Sequence, residues 1–176
     1  MSLKRRFIWG AIVLLLIIVY IWKIEPVRRE RQALDAAIRW ARLAPIPTGA
    51  TQIHATKHDA FTWSAVYLSF HAPQADINAF IASSPGLSGI RPELLSPQHM
   101  YLPRSTKPHL KEEDLEKEER HIYFRDDVVT NDARWFDPTI RFRGRLYQVP
   151  ESNSVTYGEV IVDDLRHIVY IHEDSE

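Results

Sequence analysis

The chain has no cysteine among its 176 residues. That excludes disulfides, thiolate catalysis, cysteine-based zinc sites and a lipid-modified cysteine anchor. It also has no Asn-x-Ser/Thr sequon, since Asn78, Asn131 and Asn153 all fail the pattern. This favours a bacterial envelope context over a eukaryotic secretory one. No Gly-rich phosphate loop, internal repeat or low-complexity tract occurs, and Ser83 and Ser84 lack the setting of a nucleophile elbow. No residue stands out as nucleophile, general base or oxyanion donor, so the expectation is a non-enzymatic protein without a cofactor. Net charge is also nearly absent, at −1, but the balance conceals an asymmetry. Residues 1–31 hold seven Lys and Arg against two Asp and Glu (+5), and residues 32–176 hold fifteen against twenty-one (−6). An acidic domain argues against nucleic acid as a partner, because phosphate binding needs a positive surface.

What the chain does have is one long apolar run. Residues 7–22 (FIWGAIVLLLIIVYIW) carry no charge and follow Lys4, Arg5 and Arg6. With Ile24 the apolar length reaches about eighteen residues, roughly 27 Å as a helix, close to the hydrocarbon thickness of a bilayer. The run ends in bulky residues with no Ala-x-Ala-like site, which favours a signal-anchor over a cleaved signal peptide. Phe7 opens the run, and Trp9, Tyr20 and Trp22 suit an interfacial aromatic belt, with Lys23 reaching toward the headgroups. Cations flank both ends almost equally. Holding the four positive charges of the N-terminal tail inside favours an inner (plasma) membrane protein whose C-terminal domain is extracytoplasmic.

The expected fold class is α+β. Residues 1–24 form a single transmembrane helix and 25–45 a stalk-like membrane-proximal helix. Residues 46–176 form one small domain with a mainly antiparallel sheet and one or two short helices. Leu34, Ala37, Ile38 and Ala41 set the helical period over 27–43, and Pro45, Pro47 and Gly49 end it. Residues 61–71 (FTWSAVYLSFH) read as a buried strand, and Ile77, Phe80 and Ile81 mark a short helix stopped by Ser83-Ser84-Pro85-Gly86. Five prolines between 85 and 108 predict a long irregular excursion. The densely charged stretch 110–121 reads as an exposed helix or loop. Residues 122–124 suit a short strand, and 145–149, 155–162 and 167–172 the closing strands. The last two are joined by a hairpin turn at Asp163-Asp164-Leu165-Arg166.

Three constellations carry chemical possibilities. His54 and His58, followed by Asp59, have the spacing of metal ligands on a helix, although no Glu completes a His-Glu-x-x-His pattern. The acid pairs Asp126-Asp127 and Asp163-Asp164 fall where turns favour Asp. Arg141, Arg143 and Arg145 share one side of an extended segment and, with Arg134, Trp135 and Phe136, make a cationic aromatic patch. Such a patch suits an acidic peptide, a polyanionic glycan or lipid headgroups, unless nearby acids pair with it. The sequence therefore points to a single-pass protein contacting the bilayer and another envelope protein or polymer. A membrane-tethered, immunity-type inhibitor of a toxin is the alternative, and a metal-dependent hydrolase built on His54, His58 and Asp59 is the third reading.

Overall fold

The computed structural model describes residues 3–95, 101–103, 122–124, 133–140, 142–152 and 155–175. The chain opens with helix α1 (Leu3–Val19), a π-helical turn (Tyr20–Ile24) and helix α2 (Glu25–Trp40). The backbone stays helical across both junctions, with Val19 at φ −61°, ψ −41° and Glu25 at φ −63°, ψ −43°. Pro26 sits in the first turn of α2 and, having no N–H, donates no hydrogen bond back into the π turn. A single helical rod therefore runs from Leu3 to Trp40. It ends in a reciprocal cap: the Leu43 N–H donates to the Ile38 carbonyl and the Arg42 N–H to the Arg39 carbonyl. Arg42 takes the left-handed conformation that this cap requires, at φ 51°.

Among the described residues, no helix taken alone is long and apolar enough to cross a membrane. The single α-helix expected over residues 7–22 is interrupted, because α-helical hydrogen bonding stops at Val19 and the wider π turn takes up Tyr20–Ile24.

Six strands form the main sheet: β1 (Thr51–Asp59), β2 (Ser64–His71), β3 (Glu93–Leu95), β6 (Gly144–Gln148), β7 (Tyr157–Asp163) and β8 (Ile168–Ser175). Their spatial order is β1-β2-β8-β7-β6-β3, with every neighbouring pair antiparallel. Two short strands, β4 (Tyr101–Pro103) and β5 (Ile122–Phe124), pair in parallel apart from it. The α+β class holds. β1 is an addition to the expected fold, since residues 51–59 (TQIHATKHD) carry too little apolar alternation to announce a strand. The expected strand over 61–71 instead starts at Ser64, after a turn closed by the Ala60 N–H on the Trp63 carbonyl. The excursion over 85–108 is less irregular than its prolines suggest: Glu93–Leu95 joins the sheet beside β6, and Tyr101–Pro103 forms β4. The charged stretch 110–121 lies outside the described residues.

The alternation of β2, β7 and β8 divides the core into two layers. Val66, Leu68, Phe70, Val160, Val162, Val169 and Ile171 face α2 and the helix α3 (Gln74–Ser83). Ala65, Tyr67, Ile161, Ile168 and Tyr170 face the opposite way, where Ala133, Phe136 and Ile140 cover them. Because both faces are covered, the central strands read as continuous apolar runs. α2 docks through Ala33, Ala36, Ala37 and Ala41, all buried. Small side chains let the helix sit close on the sheet, so the second half of α2 is part of the domain core. Ile77 and Phe80 bury α3 as their spacing predicts.

Candidate functional site

Among the described residues the cationic aromatic patch does not come together on one face of the sheet. Strand pleating sends Arg145 toward α3 and its neighbour Leu146 toward the other layer, where Phe136 and half-buried Trp135 pack. Phe136 is a core residue, with its ring edge-on to Tyr67 at 5.2 Å and to Tyr170 at 5.4 Å. Trp135 lies 5.5 Å from the His54 ring. Arg134 is exposed on that side, and Arg141 lies outside the described residues. Arg143 and Arg145 stay together, lining a shallow depression of about 300 Å³ with Gln74, Asn78, Asp164 and His167.

In that depression Arg145 is held by its neighbours. Its Nε donates to Asp164 Oδ1 at 3.0 Å, its Nη2 to Asn78 Oδ1 at 3.0 Å and its Nη1 to the Tyr147 hydroxyl at 3.3 Å. Gln74 Nε2 donates to Asp164 Oδ1 as well, at 3.2 Å. Arg143 is exposed at the rim. A rigid guanidinium beside an exposed one can receive a carboxylate or phosphate group.

The expected turn chemistry is present for Asp163 but not for Asp164, whose carboxylate binds Arg145 and Gln74, and the turn is shifted by one residue to 164–167. Asp163 Oδ1 accepts from the backbone N–H groups of Leu165 and Arg166, and its Oδ2 pairs with Arg166 Nε at 2.6 Å. Asp126 and Asp127 lie outside the described residues.

His54, His58 and Asp59 do not converge. On β1, four residues span about 13 Å, so the two imidazoles are too far apart to share one ion. Alternation turns Asp59 to the opposite face, where it pairs with Lys57 at 2.5 Å and accepts from the Ser64 hydroxyl at 2.6 Å. These two bonds hold its carboxyl below the usual range. His58 stacks on Trp63 at 5.2 Å. Among the described residues no group of three His, Asp or Glu side chains could hold a metal.

The register instead assembles a group that the sequence does not announce. Thr56, Tyr67, His172, Glu159 and Gln148 stand directly opposite one another on β1, β2, β8, β7 and β6. Tyr67, His172 and Glu159 at the centre of this transverse row are almost fully buried. The His172 ring stacks on Tyr67 at 4.7 Å and 11°, with Tyr157 edge-on at 5.8 Å. His172 Nε2 lies 3.3 Å from Asp174 Oδ1, off the line of a hydrogen bond. The Tyr157 hydroxyl donates to Glu159 Oε1, which also accepts from Gln148 Nε2 at 3.4 Å. Its enclosure keeps the His172 imidazole from reaching a substrate in bulk solvent. The only trace of this row in the sequence is the presence of Tyr, Glu and His within otherwise apolar strands.

On the other face Glu173 is fully buried under the end of α2, and among the described residues neither carboxylate oxygen has a hydrogen-bond partner of good geometry. Burial raises its pKa well above the ordinary carboxyl value, against a smaller opposing pull from the Ala41 backbone.

The residues of the N-terminal apolar run have a simpler geometry. Trp9 and every residue from 12 to 20 are exposed along α1, as is Ile24, and nothing among the described residues covers them. The side chains of Phe7 and Trp22 lie outside the described ones. Tyr20 donates from its hydroxyl to Glu25 Oε2 at 3.1 Å, linking the two ends of the π turn, and Lys23 is exposed at the same level. Comparison with protein-family models, with characterised proteins and with solved structures returned no match.

Proposed function

We propose that this chain is a membrane-tethered, non-enzymatic binding module. In this reading α1 and the π turn lie in the bilayer as a single pass, and the α+β domain stands outside the cytoplasm. One observation carries it: the same helical rod leaves α1 uncovered while burying Ala33, Ala36 and Ala37 of α2 in the domain core. An uncovered apolar helix of this length is far larger than the apolar patches that soluble surfaces tolerate. The eighteen residues from Phe7 to Ile24 extend about 27 Å at helical rise, close to the hydrocarbon thickness of a bilayer with the π turn included.

The depression around Arg143 and Arg145 is the surface proposed to meet an anionic group on an envelope protein or polymer. It lies at the β7–β8 turn, the end of the strands opposite the β1–β2 turn near the start of α2. A reporter fused after Glu176 tests the topology. Activity specific to the extracytoplasmic side is expected, and cytoplasmic activity would remove the envelope-binding reading.

A further inference from the structure

We infer that the β1–β2 turn is a second membrane contact, with Phe61 dipping into the lipid interface beside the foot of α2. The inference rests on the reading of α1 as a membrane anchor. A groove of about 450 Å³ separates the first turns of α2 from the edge strand β1. Glu25, Pro26, Arg28, Arg29 and Glu30 line one wall, and Lys57 and Asp59 line the other. Glu25 directly follows the apolar run, so this groove marks the level at which the rod would leave the bilayer. The turn at 60–63 begins one residue beyond Asp59, which places Phe61 within about 7 Å of chain from that wall. Phe61 is fully exposed at its tip.

Glu25 and Asp59 beside the tip are already matched. Arg28 Nη2 lies 2.7 Å and Arg29 Nε 3.0 Å from Glu25 Oε1, and Lys57 neutralises Asp59. The bonds from Arg28 and Arg29 hold the Glu25 carboxyl down to about 2, so it stays an ion-paired anion. Neither Glu25 nor Asp59 is thus left as an unmatched carboxylate to repel an anionic headgroup. An exposed Phe beside compact ion pairs and cationic stems suits the membrane surface, where an apolar side chain can insert at the headgroup boundary. Two contacts, the rod and the turn, would fix the tilt of the domain. They would also direct the Arg143 depression away from the bilayer.

The absence of native cysteine makes single-cysteine labelling of the full chain direct. Thr62→Cys carries an environment-sensitive fluorophore with Phe61 retained, in protein-free vesicles of phosphatidylethanolamine and phosphatidylglycerol bearing nitroxide lipids. Quenching by headgroup-level nitroxides, several-fold above that of a Leu165→Cys label at the opposite turn, is expected, and Phe61→Asp should abolish it. A Val13→Cys label reports the anchor separately and should be quenched by acyl-chain nitroxides. If the Val13 label is quenched and the Thr62 label behaves as in water, the second contact is overturned and the anchor stands. If the Val13 label is itself aqueous, the anchor reading fails and this inference falls with it. Thr62 quenching that survives Phe61→Asp would overturn the role given to the ring.

Discussion

Arg145 and Asp164 are bound to each other, with Nη2 and Oδ1 2.7 Å apart and both side chains mostly shielded from water. The pair ties β6 to the β7–β8 turn, and Asn78 draws α3 into the same network. Arg145 is therefore a structural brace as well as part of a candidate binding surface. A double-mutant cycle with Arg145→Ala and Asp164→Ala is expected to give a coupling energy of about 1–2 kcal/mol by denaturant unfolding, above that of an exposed pair.

Arg143→Ala separates binding from folding. Its side chain is exposed at the rim, so the melting temperature should stay within about 2 °C of wild type, as for other surface substitutions. Capture of an acidic peptide or polyanionic glycan by the domain should fall at least several-fold. Binding and stability lost together would return Arg143 to a structural role.

Glu173 sets a pH dependence of stability. Its folded pKa lies above its unfolded one, so the folded state holds the proton more tightly. The contribution is full in acid and declines as pH rises from about 4.5 toward the raised folded value, by up to about 1.4 kcal/mol per pH unit. Glu173→Gln should remove this decline and raise the melting temperature at neutral pH. Chemical denaturation at several pH values checks both outcomes.

Removing the Tyr157 hydroxyl tests the polar row. Tyr157→Phe leaves buried Glu159 without its phenolic donor and should cost about 1–3 kcal/mol. An unchanged denaturation midpoint would show that the row contributes no net stability through this bond.

Gly86 stands where α2 ends. A Cβ there would lie 1.7 Å from the Ala41 carbonyl oxygen, and the Gly86 N–H donates to the Arg42 carbonyl at 2.9 Å. Gly86→Ala must therefore push backbone against backbone. A loss of about 1–3 kcal/mol or more in unfolding free energy is expected, as for other overpacked sites.

Local pattern in the chain was enough to find α3, the β7–β8 hairpin and the uncharged run that becomes α1. Each depends on side-chain spacing within a dozen residues and on residues that stop a helix or favour a turn. Leu34, Ala37, Ile38 and Ala41 likewise announced α2, although Ala33 and Ala36 complete its buried face. β1 was hidden because an edge strand needs little apolar alternation when a neighbouring helix and strand hold it.

The candidate sites depended on long-range pairing. Residues 134–136 and 143–145 are close in the chain, yet the sheet stands between Phe136 and Arg145, because adjacent strand residues point to opposite faces. Conversely, Tyr67, Gln148, Glu159 and His172 are scattered along the chain and become a single row only when β2, β8, β7 and β6 align in register. Composition and periodicity do not encode which strands become neighbours. That order emerges from burying two apolar layers on one sheet, and it is what split the anticipated patch and assembled the unanticipated row.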